Sequence, residues 1–128
     1  MAKKELDIIT TFYDFLLWVI PEIGKIPRSH RFTLGQNMEM KLYGILEGLV
    51  EAKYASEKRA LLAGLNVSLE QVRFQMRLCK DLDGMGVRKY EIGSRMINDV
   101  GKRLGGWIRS LGRSHGSGGS HATGRRPV

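Results

Sequence analysis

Residues Arg88–Leu111 read RKYEIGSRMINDVGKRLGGWIRSL. At about 100° per residue, the angular step of an α-helix, Ile92, Met96, Val100, Leu104, Trp107 and Leu111 fall on one side. Ile97 and Ile108 extend that stripe. Arg88, Arg95, Lys102 and Arg109 recur at seven-residue spacing and fall nearly opposite, drifting only about 20° per heptad. A helix apolar on one face and cationic on the other must bury the first against neighbours while leaving the second in water. At 1.5 Å rise per residue the cationic row is about 30 Å long.

The rest of the chain carries the same helical period and no sustained two-residue alternation. Upstream, Asp83–Gly86 reads as a loop. Before it, the pattern Ser68-Leu-Glu-Gln71 has the form of a capping box and predicts a third helix from Ser68 to about Leu82. Residues 57–66, punctuated by Gly64 and Asn66, read as a connection with partial helical character. The second helix is expected to begin near Ser29 or Thr33, where Thr33-Leu-Gly-Gln36 forms another capping box, and to run to about Ser56. Gly44 and Gly48, one turn apart, mark an expected close approach of a neighbouring helix. The first helix spans about Glu5 to Ile26, with Ile8, Ile9, Phe12, Phe15, Leu16, Val19, Ile23 and Ile26 stepping along one side. Pro21 should kink it and Pro27 end it, because proline lacks an N–H and crowds the preceding turn.

Four amphipathic helices joined by short connections predict an all-α, up-down four-helix bundle. The bundle domain covers residues 1–111. Residues 112–128, GRSHGSGGSHATGRRPV, are rich in glycine and serine without apolar period, and read as a disordered, weakly basic tail.

Size and composition narrow the function. The chain has 128 residues, of which 42% are hydrophobic, enough for one domain with a real core. Its single cysteine, Cys79, permits no internal disulfide and no four-thiolate metal site, which suits a reducing compartment, and the expected location is cytoplasmic. The longest apolar run, Phe15–Ile20, is far short of the ~20 residues that span a bilayer, and the amino terminus has no signal-peptide form. His30, His115 and His121 are scattered, so neither a metal site nor a His-based catalyst is expected. No phosphate-cradling glycine motif occurs. The reading is of a non-catalytic protein without cofactor. Gly105 and Gly106 are expected to let Trp107 and a neighbouring helix pack closely. The aromatics Phe12, Tyr13, Phe15, Trp18, Phe32, Phe74 and Trp107 track the apolar faces, and Cys79 reads as a small packed residue.

Charge is the remaining signal. Net charge is +8, and residues 88–128 hold +7 of it against +1 for the first 87 residues. Arg73, Arg77 and Lys80 cluster on the third helix. Were the third and fourth helices neighbours, these bases and Arg88, Arg95, Lys102, Arg103 and Arg109 could form one patch for the phosphates of a nucleic acid, bound through charge and reach without base readout. The alternative is a plain solvated face, since every bundle helix needs one. The fourth-helix row is read as free of interleaved acids that would form i,i+4 pairs, which favours the patch. An enzyme built in the bundle core would need inward carboxylate–histidine pairs, and none is visible.

Several stretches together resemble one family: residues 26–35 (IPRSHRFTLG), residues 73–82 (RFQMRLCKDL), residues 88–91 (RKYE) and residues 100–109 (VGKRLGGWIR). In combination they are similar to the Avd-like accessory variability proteins of diversity-generating retroelements, part of a wider group of four-helix-bundle proteins related to those encoded in 23S rRNA intervening sequences. The resemblance covers residues 5–111. It implies a homopentameric barrel of four-helix bundles that associates with a reverse transcriptase, template RNA and also DNA, and supports mutagenic cDNA synthesis without being an enzyme. It carries no residue-by-residue site, so the expected phosphate contacts rest on charge alone. The competing expectation is a structural assembly protein of the intervening-sequence type without nucleic-acid binding, whose basic faces meet acidic faces of neighbouring subunits or of the polymerase, with Glu39, Glu47 and Glu51 as candidate acids.

Overall fold

The computed structural model describes residues 3–114. Four long α-helices dominate: α1 (Lys3–Ile23), α3 (Gln36–Tyr54), α4 (Lys58–Asp81) and α5 (Val87–Ser114). A short α2 (Arg28–His30) and a π-helical turn (Arg31–Gly35) lead into α3. Helix α3 packs on α1 and α4, and α5 packs on α4 and α1, so the four close into a square. Each helix lies beside the next in sequence across a short connection, which sets neighbours antiparallel, as in an up-down bundle. One core fills the square, from Ile8, Phe12 and Phe15 on α1 through Leu42 and Leu49 on α3 and Leu62 and Met76 on α4 to Ile97 and Trp107 on α5.

Local signals and burial agree along α1. Of its expected apolar face only Ile9 is partly exposed; the others are buried. Pro21 sits exposed in the last turn. The helix stops two residues later, at Ile23 rather than Ile26, and single turns (Gly24 N–H to Ile20 O, Ile26 N–H to Ile23 O) carry the chain on.

Of the expected helix starts, the one near Ser29 agrees with α2, which begins at Arg28, while the capping boxes at Thr33 and Ser68 are overturned. Thr33 caps nothing: its hydroxyl donates back to His30 O at 3.3 Å, and α3 begins at Gln36 out of a Gly35 that is already helical, at φ −60° and ψ −47°. The π turn merges into α3 without free N–H groups for a cap to satisfy. Helix α4 begins at Lys58, so Ser68, Gly64 and Asn66 all lie inside it. The ten residues before Ser68 are helical because they bury Leu62 and Leu65, at about 1.5–3 kcal/mol per leucine, against about 1 kcal/mol for one helical glycine. Lys58 also closes α3. Its ammonium donates to Ala52 O, Lys53 O and Ala55 O at 2.7, 3.0 and 2.9 Å, using all three of its protons on carbonyls a helix end leaves open.

Helix α4 ends in a Schellman motif. Gly84 N–H reaches Cys79 O at 2.8 Å and Asp83 N–H reaches Lys80 O at 3.0 Å, with Asp83 left-handed at φ 63°. Cys79 is buried as expected, and burial pushes its thiol pKa up. Helix α5 runs past Leu111 to Ser114; residues 115–128 of the expected tail lie outside the described residues. Of the aromatics, Phe12, Phe15 and Trp107 are buried and Trp18 packs against the core, whereas Tyr13, Phe32 and Phe74 face solvent.

The glycines divide by surroundings. A Cβ on Gly48 would fall 2.4 Å from Leu65 Cδ2, and one on Gly93 would fall 2.5 Å from Met76 Cε and 2.9 Å from Trp18 Cζ3. Gly44 has nothing within 4 Å, and Gly105 and Gly106 face only the Arg109 guanidinium of their own helix. The close approach is therefore at Gly48 and Gly93, and not at Gly44 or the Gly105–Gly106 pair. Two substitutions one turn apart should have opposite signs. Gly48→Val is expected to lower the unfolding free energy by about 1–3 kcal/mol through overpacking. Gly44→Ala is expected to raise it by about 0.5–1 kcal/mol through helix propensity. Urea titrations of both variants check this; a stable Gly48→Val would show the α3–α4 contact to be loose.

Candidate polyanion-binding face

The buried face of α5 comprises Gly93, Ile97, Val100, Leu104 and Trp107. Ile97 is at its centre, while Ile92 and Met96 flank it, partly buried. The exposed Arg88, Arg95, Lys102 and Arg109 project opposite that centre, and their heptad drift carries the row towards α4. None of the four makes an ion pair among the described residues.

Helix α4 supplies a second row. Arg73 lies against α5, its Nη2 2.8 Å from where a Cβ on Gly101 would be, and its Nη1 donates to Asn98 Oδ1. Lys80 stands over the Tyr90 ring of α5, 5.0 Å from its centre. At the far end, Arg59 comes within 3.1 Å of a Cβ position on Gly112. Arg59, Asn66, Arg73 and Lys80 follow one another at seven-residue spacing, so α4 repeats the periodicity of α5 with one polar interruption. Gly64 and Asn66 give residues 57–66 the look of a connection, which hides the heptad and with it Arg59. Like the α5 row, Arg59 makes no ion pair among the described residues.

The remaining expected contacts are partly neutralised. Arg77 is 4.0 Å and Lys80 is 3.3 Å from Asp81. Arg73 Nε is 3.1 Å from Glu70 Oε1, without the alignment of a hydrogen bond. Arg103 points towards the α1 side and pairs with Asp99 at 3.3 Å. The fourth helix thus does carry an i,i+4 acid–base pair, contrary to the reading of a row without interleaved acids, and it engages Arg103, outside the heptad row. Arg73, Arg95 and Lys102 converge on an open depression between α4 and α5, completed by Asn98, Asp99 and Gly101. The bundle is polarised: Glu39, Glu47 and Glu51 lie on α3, which stands diagonally across the square from α5.

Among the described residues no group of three or more His, Cys, Asp or Glu side chains could hold a metal ion, and no helix is long and apolar enough to cross a membrane.

One further lysine anchors the row. Lys89 donates to Glu22 Oε2 at 2.9 Å, and Lys25 approaches the same oxygen at 3.4 Å, on a carboxylate whose side chain is 12% exposed. The Lys89 hydrogen bond holds the Glu22 carboxyl below its usual range, against opposition from burial and with help from Lys25. A depressed folded pKa contributes stability that is complete above the ordinary value of 4.5 and is lost as pH falls through the folded value. Glu22→Gln should therefore unfold more easily at neutral pH, by about 1 kcal/mol, and approach the parent as pH falls through the lowered folded value. Denaturant titrations at neutral pH and through that fall check this; an equal deficit throughout would assign Glu22 a packing role instead.

A family model described as bAvd-like matches residues 6–111. A comparison with curated proteins gave no match. The chain belongs to the bAvd-like family of non-catalytic accessory proteins.

Proposed function

We propose that this protein is the accessory subunit of a diversity-generating retroelement, that it holds template RNA and its cDNA on the α4–α5 face, and that it associates with the reverse transcriptase during mutagenic cDNA synthesis in the cytoplasm. The observation that carries the nucleic-acid reading is the convergence of two antiparallel heptad rows of cations on one groove, with Arg59, Arg88, Arg95, Lys102 and Arg109 in no ion pair among the described residues. Family membership supports the retroelement context. The assembly in this reading is a homopentameric barrel. An outward apolar stripe on α4, formed by Val67, Phe74 and Leu78 at 57, 62 and 47% exposure, supplies apolar surface for subunit contacts.

Phosphate binding through five free cations has a quantitative signature. On a single strand, the logarithm of affinity should fall against the logarithm of salt with a slope of about −3.5, and each cation removed should reduce the slope by about 0.7. The triple reversal Arg95→Glu, Lys102→Glu, Arg109→Glu should abolish binding of a single-stranded RNA at low salt. Deleting residues 114–128 should weaken it less. Fluorescence anisotropy over a salt series reads all of these. Absent binding at low salt, or indifference to the triple reversal, would remove the nucleic-acid part of the proposal.

The polarity of the bundle favours one second reading. Acidic α3 and basic α5 lie on opposite sides, so the charges could mate head-to-tail between subunits. In that case the triple reversal changes oligomer mass in light scattering and leaves RNA affinity alone.

A further inference from the structure

The cations of the α4–α5 groove are not equivalent. Most are long side chains standing in water, where a phosphate contact is loose and interchangeable. Arg73 is different, because its guanidinium is held in place before any ligand arrives. Asn98 accepts from Nη1. Glu70 stands 3.1 Å from Nε, which is enclosed and has no hydrogen bond. Gly101 lets the group lie on the backbone of α5, since a Cβ there would come 2.8 Å from Nη2. A glycine inside a helix costs about 1 kcal/mol, and at this position the missing side chain is what admits the arginine. The Nη2 protons have no acceptor among the described residues.

Arg95 and Lys102 lie three residues before and four after Asn98, so they flank this guanidinium on the same face. The one acid lining the depression, Asp99, is engaged through both oxygens by Arg103 Nε at 3.3 Å. Arg103 therefore screens the acid that would repel an anion. The result is a fixed fork, held on its Nε side by Glu70, with two free cations beside it and the acid that lines the depression neutralised.

We infer that this depression is a discrete phosphate site, in which Arg73, seated over Gly101, acts with Arg95 and Lys102 on one phosphodiester of a nucleic-acid strand. The fork geometry of arginine suits two oxygens of one phosphate, and two further cations suit an anion with several oxygens. The depression is open rather than enclosing, so a strand can pass through it with one phosphate held, whereas a free ion would remain largely solvated. This deepens the proposed function and rests on it: the long rows attract a polyanion, and the depression sets its register.

The test separates the two ideas. Gly101→Ala leaves net charge unchanged, should keep or raise the melting temperature, and pushes Arg73 off α5. Arg73→Lys keeps the charge and removes the fork. Each is expected to lower the affinity of a 12-nucleotide single-stranded RNA about five- to tenfold in fluorescence anisotropy. Should Gly101→Ala fail to fold, the Arg73→Lys arm decides. Wild-type affinity in the folded variants would overturn the discrete site, while loss of binding in the triple reversal would leave the proposed function standing. Isothermal titrations with inorganic phosphate and with a 5′-mononucleotide supply the remaining arm. Binding of either that matches the oligonucleotide would overturn the assignment to a phosphodiester in favour of a free or terminal phosphate; weak binding of both supports it.

Discussion

Gly93 of α5 lies where three helices meet. Trp18 of α1 and Met76 of α4 both press on it, within 3 Å of any Cβ it could carry. Rotating α5 about its axis would drive a side chain into that space and lift Ile97 and Trp107 from the core. The rotation is therefore fixed, and with it the direction of every other residue on the helix. Arg88, Arg95, Lys102 and Arg109 face outwards because the opposite side cannot turn. Lys89 adds a polar stop at one end, tying α5 to Glu22 of α1. The cationic row is thus a consequence of core packing, and its stiffness is that of the bundle.

Helix α5 was legible because its apolar period is long and uninterrupted. Only the weighting was off, since Ile97, read as an extension of the stripe, sits at its centre. The first half of α4 was not legible. Gly64, Asn66 and a Ser–x–x–Gln pattern at Ser68 imitate a loop followed by a helix start, and local propensity has no knowledge of what Leu62 and Leu65 will bury. Tertiary burial outweighs those local signals by a few kcal/mol, and the loss of register there concealed Arg59. Glycine spacing had a similar limit. Gly44 and Gly48 are alike in sequence, yet only one faces a neighbour, because a turn of helix separates them by enough rotation to clear Leu65.

Charge pairing was the least legible property. Sequence counts place seven bases on α5 against two acids, but not which acid meets which base. Asp99 has Arg95, Lys102 and Arg103 all within helical reach, and among the described residues it pairs with Arg103 alone. That choice leaves the heptad row free and turns a listless surface count into a pattern: paired cations at Arg73, Arg77, Lys80 and Arg103, unpaired ones at Arg59 and along the α5 row. Pairing of this kind is worth little to stability at an exposed site. Its effect is on which charges remain available to a ligand.

The spacing of that row bears on what it could read. Seven residues of helix advance about 10.5 Å, while a stacked strand advances about 3.4 Å per nucleotide. Consecutive cations therefore meet roughly every third phosphate, except at the depression, where Arg95 and Lys102 converge with Arg73. Contacts that sparse, made to the backbone from long flexible side chains, discriminate neither base identity nor small changes of path. A surface of this kind would hold any sequence equally well, as the proposed function requires. Register then has to come from a less forgiving contact, and on this face the arginine seated against a glycine of the neighbouring helix is the one with its geometry fixed in advance.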